Sequence, residues 1–273
     1  MSIPVGERLL EELRYHEAHP LFVTGAGISI ASGIAPFRGT ADAVWAQDVL
    51  EKGTNRYFLQ HPHKSWAWYL SRFDGCRNAE PNPAHRALAL IEDQLTERGR
   101  GFNLVTQNVD GLHLAAGSKN LIECHGTARH LRCTNRYCKF GPPKGVIEWD
   151  ESLLIKFRAE PTRANVPRCP ECSKFLRAHC LWFDETYSGH ESYGIDEIDA
   201  LLDKMTIVVF VGTSFAVTIT DLVMTSAYQR NVPMFNLDPH AEDIDGLITI
   251  KAKAEEFLPQ LAKELYLCPK KTA

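Results

Sequence analysis

The sequence lacks the long apolar runs and the excess of positive charge that are typical of membrane and nucleic-acid-binding proteins. No stretch of its 273 residues approaches the roughly 18 to 20 apolar residues that span a bilayer. Asp and Glu (34) outnumber Lys and Arg (30), and the net charge of −4 argues against a direct nucleic-acid or anionic-membrane partner. Internal repeats and low-complexity tracts are also missing. The 44% of hydrophobic residues predicts a globular protein with a sizeable core.

The N-terminal stretch lacks the features of a targeting segment. MSIPVGERLLEELRYHEAHPLF carries scattered charges, with neither the apolar core of a secretory signal nor an Arg-rich transit pattern. We therefore expect a cytoplasmic, monomeric protein in a reducing compartment. In such a compartment, eight cysteines indicate thiols and metal sites more than a disulfide framework.

Four short apolar runs, at residues 21–23, 102–105, 205–211 and 234–237, each end in a glycine-rich or polar turn. Helical patterns occur at residues 6–17, 83–98, 220–230 and 255–265. Strands that alternate with helices predict an α/β fold, a Rossmann-like doubly wound parallel sheet. In such sheets ligands bind beyond the carboxyl ends of the strands, where all four turns would lie.

Two insertions interrupt this alternation and predict a smaller zinc-binding and helical domain. Residues 44–78 look helical, and residues 129–178 are polar and carry four cysteines, with too few apolar residues for a core of their own. The remaining segments, 1–43, 79–128 and 179–273, form the predicted Rossmann-like domain.

The four cysteines of the second insertion form two closely spaced pairs. Four residues separate Cys133 from Cys138, and two separate Cys169 from Cys172. Four thiolates complete the tetrahedral coordination of Zn²⁺ and leave no open position, so the predicted zinc is structural. Buried free thiols or a redox Cys-x-x-Cys pair are the alternative.

The first strand runs into GAGISIASGIAPFRG, residues 25–39. Glycines at 25 and 27 let backbone N–H groups approach a pyrophosphate, and Ser29 adds a hydroxyl donor. The third glycine of the GxGxxG pattern is missing, because residue 30 is Ile. A simple glycine turn is therefore the alternative at this position.

Polar residues also follow the second strand, in TQNVDGLH. Gln107, Asn108 and Asp110 are costly to bury unless they bind a polar ligand such as a sugar or a carboxamide, although a helix cap could explain one of them. His125 follows the apolar pair Leu121-Ile122, at the predicted end of another strand. A histidine in this place is either a general base or a structural residue.

Together these motifs resemble the sirtuins, the Sir2 family of NAD-dependent protein lysine deacylases. The resemblance rests on GAGISIASGIAPFRG, TQNVDGLH, the His-Gly pair at 125 and 126, the paired cysteines, Gly212-Thr213-Ser214 and Asn236-Leu237-Asp238, and it extends over most of the chain. It implies that NAD is the cofactor and that acyl-lysine proteins or peptides are the substrates. Free lysine, nicotinamide and O-acyl-ADP-ribose would be the products.

The resemblance also implies roles for individual residues. His125 would be the general base on a ribose hydroxyl, and Asn108 and Asp110 would be the other catalytic residues. The residues that would bind NAD are Gly25, Ala26, Gly27, Ser29, Phe37, Arg38, Gln107, Asn108, Asp110, Gly212, Thr213, Ser214, Asn236, Leu237, Asp238 and Ala254.

A substrate peptide would add as a strand along a segment that includes Trp182, Phe183, Asp184 and Glu185. Tyr69 and Arg72, three residues apart on a predicted helix, resemble the Tyr-x-x-Arg pair of sirtuins that accept succinyl-, malonyl- or glutaryl-lysine. The alternative is a surface arginine beside a core tyrosine.

Some positions depart from the family pattern. Asp184 stands where Gly is usual, and its negative charge would repel an acidic acyl group. Ile219 stands where Pro is usual. Two other functions remain open: mono-ADP-ribosyl transfer to a protein, and a non-catalytic NAD-sensing module. Retention of Asn108, Asp110 and His125 argues against the module.

Overall fold

A computed structural model describes residues 5–35 and 45–267 of the chain. The α-helices are α1 (Val5–Arg14), α2 (Trp45–Lys52), α3 (Asn55–Gln60), α4 (Pro62–Arg77), α5 (Pro83–Thr96), α6 (Leu112–Ala115), α7 (Ile155–Ala159), α8 (Ile195–Leu202), α9 (Thr218–Gln229) and α10 (Ala254–Tyr266). The strands are β1 (Pro20–Thr24), β2 (Asn103–Thr106), β3 (Leu121–Glu123), β4 (Gly126–Cys133), β5 (Ile147–Glu148), β6 (Leu176–Cys180), β7 (Ile207–Val211), β8 (Met234–Leu237) and β9 (Leu247–Ile250).

Six strands form one parallel sheet in the order β3-β2-β1-β7-β8-β9. Counted along the chain within this sheet alone, the order is 3-2-1-4-5-6, the Rossmann arrangement. The predicted doubly wound parallel sheet is confirmed. The order reverses between β1 and β7, so the carboxyl ends of these two strands flank the crevice where such sheets bind ligands.

The main sheet is buried on both faces, which explains its continuous apolar strands. Phe22 of β1 belongs to the core under α1, α5 and α10, whereas Leu21 and Val23 point to the opposite face, towards α8 and α9. Every residue of β1, β7 and β8 is buried.

Two helix starts follow directly from the sequence. Pro83 stands first in α5, where its missing N–H needs no partner, and Asn82 Oδ1 accepts from Ala84 N at 2.9 Å. His85 completes the cap by accepting from Asn82 N at 3.3 Å. In the same way, Pro62 stands first in α4.

A second, antiparallel sheet has the order β5-β4-β6. Its core joins Leu131 of β4 and Leu176 of β6 to Trp66 of α4 and Phe157 of α7. Trp66 Nε1 donates to Leu176 O at 2.9 Å. Both insertions therefore contribute to one smaller unit, as predicted from the sequence, while the stated domain boundaries stay a prediction.

The chain passes between the two sheets beside one pair of residues in the small sheet. β4 begins at Gly126, directly after His125, and β6 ends at Cys180, which pairs with Gly126. Leu181 N then donates to His125 O at 2.8 Å. Gly126 has φ of +79°, and a Cβ there would collide with the carbonyl of His179, so this junction requires glycine.

The glycine turn after β1 leads into a 3₁₀ helix (Ala26–Ser32) that ends at Gly33 with φ of +83°. None of the helices within residues 5–35 and 45–267 combines the length and the apolar character needed to cross a bilayer.

Candidate cofactor and active site

The turns after β1 and β7 pack backbone against backbone at the point where the strand order reverses. Gly27 N donates to Gly212 O at 2.8 Å. A Cβ on Gly27 would lie 2.6 Å from Gly212 Cα, and one on Gly25 would lie 2.7 Å from Gly212 O. Glycines at these positions are thus needed for the contact between the two turns, in addition to any approach of a phosphate.

The polar residues beyond β2 form one hydrogen-bonded cluster with the glycine turn. Asn108 Nδ2 donates to Gly25 O at 2.9 Å and to Ser29 Oγ at 3.2 Å. Ser29 Oγ donates to Asp110 Oδ2 at 2.7 Å. Asp110 Oδ1 also accepts from Leu112 N at 3.0 Å, so a helix cap does account for this one carboxylate. Burial raises the pKa of Asp110, although both hydrogen bonds oppose the rise.

Gln107 links this cluster to both neighbouring strand ends. Its Nε2 donates to Thr213 Oγ1 at 3.1 Å, in the turn after β7. Its carbonyl oxygen lies 2.9 Å from Nδ1 of His125, two residues beyond β3. Because a carbonyl can only accept, Nδ1 of His125 carries the proton.

His125 is held as a neutral imidazole with its proton acceptor pointing away from Gln107. Burial lowers the pKa of His125 to about 4, although the hydrogen bond to Gln107 acts in the opposite direction. The unprotonated Nε2 lies 2.9 Å from the hydroxyl of Tyr187. A neutral imidazole with an unprotonated ring nitrogen is the form that acts as a general base.

Two buried histidines stand behind the cluster, and sequence reasoning did not assign a role to either. His113 Nε2 lies 2.9 Å from Thr24 Oγ1, and His85 Nε2 lies 3.5 Å from Ser29 Oγ. Burial lowers the pKa of His85 to about 4, and that of His113 well below its ordinary value. His113 ends the quoted TQNVDGLH motif, which is the signal that could have identified it.

The other side of the crevice is formed by β8, β9 and the start of α10. Asn236 is 2% exposed, and its Oδ1 has no hydrogen-bond partner within the described part of the chain. A buried acceptor of this kind is costly unless a ligand donates to it, so it fits a ribose hydroxyl. Asp238 caps its own turn through His240 N at 2.7 Å, and buried Ala254 begins α10.

The structure therefore brings most of the predicted NAD residues to one edge of the sheet. Leu237 is buried at the end of β8, Ser214 is exposed beyond β7, and Ala26 is half-buried at the start of the 3₁₀ helix. Phe37 and Arg38 lie outside the described residues. The orphaned Asn236 acceptor and the polar cluster fit a dinucleotide, while the role of each residue stays a prediction.

The four predicted zinc ligands form a compact cluster at the end of the small sheet. The Sγ atoms of Cys133 and Cys172 are 3.4 Å apart, those of Cys138 and Cys169 are 3.7 Å apart, and all four lie within 4.8 Å of one another. A tetrahedral zinc with Zn–S bonds of about 2.3 Å separates its sulfurs by about 3.8 Å. The cluster thus fits one closed Zn²⁺ site.

The predicted substrate edge is anchored at both ends. Glu185 accepts from Arg132 at 2.6 Å and from Arg177 at 2.7 Å, and its other oxygen accepts from Trp182 N at 3.0 Å. Its carboxylate is therefore occupied by structural contacts. Phe183 is exposed, and its N–H donates to Gly53 O at 3.1 Å, between α2 and α3.

Asp184 has a structural partner in the same segment. Its carboxylate accepts from Asn55 N at 2.7 Å and from Arg56 N at 3.0 Å, so it binds the first two N–H groups of α3, beside the N-cap Thr54. The negative charge is directed to the helix N-terminus. This contact weakens the expectation that Asp184 acts against an acidic acyl group.

Tyr69 and Arg72 lie in different surroundings on α4. Tyr69 is 3% exposed, stacks on Phe73 with ring centroids 4.6 Å apart, and its hydroxyl lies 3.8 Å from Cys180 Sγ. Arg72 lines a cavity of about 470 Å³ together with two lysines, Lys52 and Lys64. Tyr69 is not one of the residues that line this cavity, and the predicted pair stays a prediction.

Comparisons with known proteins agree with this geometry. The model of the Sir2 family matches residues 25–219. An NAD-dependent deacetylase, sir2E, of Dictyostelium discoideum is 35% identical over 255 residues, which cover 90% of this chain and 73% of that protein. An NAD-dependent protein deacylase of Aeropyrum pernix is 33% identical over 245 residues, 89% of this chain and 90% of its own.

A solved structure of a Sir2 homologue in complex with NAD superimposes with a TM-score of 0.76 and 29% identity. The match covers 95% of this chain and 93% of the homologue. The fold, the arrangement of the strand ends and the family match lead to one conclusion: the chain belongs to the Sir2 family, the sirtuins.

Proposed function

We propose that this protein is an NAD-dependent protein lysine deacylase that transfers the acyl group to ADP-ribose and releases nicotinamide. One observation carries the proposal: neutral His125 lies between the polar cluster of the crevice and the edge segment that follows β6. Gln107 O holds its Nδ1–H at 2.9 Å, and its own carbonyl accepts from Leu181 N at 2.8 Å. His125, a proton acceptor, thus contacts both the predicted cofactor residues and the peptide-binding segment.

The chain's own groups divide the work of the reaction. NAD, when bound, supplies a ribose carbon whose bond to nicotinamide can break. His125 Nε2 would accept the proton of a ribose hydroxyl, and Gln107 keeps that nitrogen unprotonated by binding the proton on Nδ1. Asn108 and Asp110 would hold the nicotinamide ribose and carboxamide, and Asn236 Oδ1, which has no partner among the described residues, would accept from the adenosine ribose.

The protein substrate binds along the segment that begins at Leu181. Backbone groups of an added strand give affinity without demanding a particular sequence, which suits an enzyme that reads acyl-lysine. The contacts of Glu185 with Arg132 and Arg177 keep this segment rigid. The zinc has a structural role, because four cysteines fill its coordination sphere.

Mass spectrometry of reactions that contain NAD and a panel of acyl-lysine peptides tests the proposal. The expected products are free lysine peptide, nicotinamide and O-acyl-ADP-ribose, and His125→Ala should abolish all three while keeping the fold. Exposed His16 offers the matched control, and His16→Ala should react at the wild-type rate. ADP-ribose attached covalently to a protein, without deacylation, would instead favour ADP-ribosyl transfer.

The acyl preference extends to acidic groups such as succinyl and malonyl. Three cations, Lys52, Lys64 and Arg72, line the 470 Å³ cavity beside α4, together with Tyr57, Ala67, Trp68 and Ser71. Arginine can bind a distal carboxylate with two parallel hydrogen bonds. The carboxylate of Asp184, within the substrate edge, is bound by the N-terminus of α3 and therefore repels an acidic acyl group less than a free carboxylate would.

The ratio of desuccinylation to deacetylation measures this preference. Arg72→Met should lower the ratio at least about tenfold, because a charge-assisted hydrogen bond contributes about 1.5–3 kcal/mol. Arg56→Met, in an exposed arginine outside the cavity, serves as the control. An unchanged ratio in Arg72→Met would refute the acidic-acyl assignment and leave the deacylase assignment intact.

The enzyme acts in the cytoplasm as a monomer. Free thiols at Cys76, Cys124 and Cys180 support a reducing compartment. Imaging of a fluorescent fusion tests the location, and light scattering coupled to size-exclusion chromatography tests the oligomeric state.

A further inference from the structure

Tyr187 makes a hydrogen bond to the one atom of His125 that the reaction needs. Its hydroxyl lies 2.9 Å from Nε2, and the two rings are 5.8 Å apart between centroids. Tyr187 begins a short 3₁₀ helix (Tyr187–Gly189), six residues after the peptide segment starts at Leu181.

The direction of this bond follows from the other ring nitrogen. Nδ1 of His125 carries the proton, because it faces the carbonyl of Gln107. The neutral ring then has one lone pair, on Nε2, and the phenol of Tyr187 must donate to it. A single imidazole lone pair accepts one good hydrogen bond, so the phenol and a ribose hydroxyl compete for the same place.

Burial keeps the phenol protonated. It raises the pKa of Tyr187, while the nearby backbone of Ile219, in the first turn of α9, acts in the opposite direction. A protonated phenol is available as the donor to Nε2 at neutral pH.

The segment that carries the phenol has few constraints on its movement. Thr186, Ser188 and Gly189 are exposed, and a Cβ on Gly189 would meet no atom within 4 Å. The phenol ring itself is half-buried beside the apolar cluster that contains Cys124 and Ile219. Segments with little buried contact open at low free-energy cost.

We propose that Tyr187 is a positioning residue that occupies Nε2 of His125 before NAD binds and gives way to the ribose hydroxyl when NAD enters. The exchange replaces one donor by another at the same nitrogen, so no proton is transferred by the phenol itself. The second half of this inference rests on the proposed function, whereas the hydrogen bond in the ligand-free protein does not.

Tyr187→Phe tests the proposal, because it keeps the ring and removes only the hydroxyl. Binding of ADP-ribose, measured by calorimetry, should tighten about 2- to 10-fold, since a hydrogen bond with a net value of about 0.5–1.5 kcal/mol no longer has to be broken. Tyr228→Phe, in a tyrosine that is 72% exposed, is the matched control and should leave the affinity unchanged. Unchanged or weaker binding in Tyr187→Phe overturns the proposal.

A spectroscopic measurement tests the bond without any ligand. In ¹⁵N spectra at neutral pH, Tyr187→Phe should shift the Nε2 signal of His125 to the position of a lone pair without a donor, while Nδ1 keeps its proton. An unshifted Nε2 signal overturns the proposal. In the wild-type protein, added ADP-ribose should change the chemical shifts of the Tyr187 ring. This measurement tests the proposal even if the variant folds poorly.

Kinetics separate this role from direct proton transfer. With NAD and an acyl-lysine peptide, Tyr187→Phe should lower KM for NAD and keep kcat within about twofold. A hundredfold loss of kcat would mean that the phenol relays the proton, which contradicts the proposal. If no peptide is deacylated by the wild-type protein, the proposed function fails, and the ¹⁵N and calorimetric results still decide the role of Tyr187.

Discussion

Buried neutral histidines should make the stability of this protein fall steeply in mild acid. Burial lowers the pKa of His85 and His125 to about 4 and that of His179 to about 2, against an ordinary value of 6.5. Between pH 6.5 and these values the unfolded chain binds protons that the folded chain does not. The stabilisation from a neutral buried histidine is therefore present at pH 7 and is lost as the pH falls through this window.

The size of the effect follows from the same values. At pH 5, which is about 1.5 pH units below the unfolded pKa, each of these histidines lowers the free energy of unfolding by about 2 kcal/mol. The raised pKa values of Asp110 and Glu123 act in the opposite direction and offset part of the combined loss. We expect the free energy of unfolding at pH 5 to lie several kcal/mol below its value at pH 7.

Urea unfolding at pH 7 and at pH 5 measures this change, and His85→Gln isolates one contribution. Gln at the third position of a helix preserves the capping box that His85 makes with Asn82. The stability lost between the two pH values should shrink by about 2 kcal/mol in this variant, because Gln does not titrate. Zinc release in acid affects both proteins alike and cancels in the comparison. An equal loss in wild type and His85→Gln would refute the reasoning, and exposed His16→Gln provides the control.

Three further predictions concern the metal, the glycine contact and the N-terminus of α3. Elemental analysis should find one zinc per chain, lost in Cys169→Ser and retained in Cys76→Ser, because only the first removes a ligand. Gly27→Ala, whose Cβ would lie 2.6 Å from a backbone carbon, should destabilise the protein by about 1–3 kcal/mol, whereas Gly75→Ala in open space within α4 should stabilise it by up to about 1 kcal/mol in urea unfolding. Asp184→Ala should cost about 1 kcal/mol in the same assay, because two first-turn N–H groups of α3 lose their acceptor, and Asp184→Asn should recover only part of this cost, since its side chain offers one acceptor oxygen.

The strands of the main sheet could be predicted because burial on both faces leaves a local signature. The apolar run that ends at Val211 is one example, and the polar residues after β2 indicated a ligand edge before any contact was known. The spacing of the cysteine pairs likewise predicted the cluster that the structure contains. In each case the signal lies within a few neighbouring residues.

Other features depend on contacts between distant parts of the chain and left no such signature. β9 is a four-residue edge strand with three of its residues only partly buried, so its apolar run is short. Asp184 meets Asn55 across 129 positions, and Tyr187 meets His125 across 62. Only the folded backbone shows that the first carboxylate binds a helix N-terminus and that the phenol is bonded to the general base.

The junction between the two sheets also fixes the backbone of His125. The chain passes into the small sheet at Gly126 and leaves it at Cys180, and these two residues are paired. Backbone hydrogen bonds hold the residues on both sides of the histidine: Cys124 N donates to Thr106 O of the main sheet at 3.0 Å, and Leu181 N donates to His125 O at 2.8 Å beside the small sheet. The general base is therefore fastened to both sheets at once, and its backbone cannot shift without breaking a hydrogen bond to one of them.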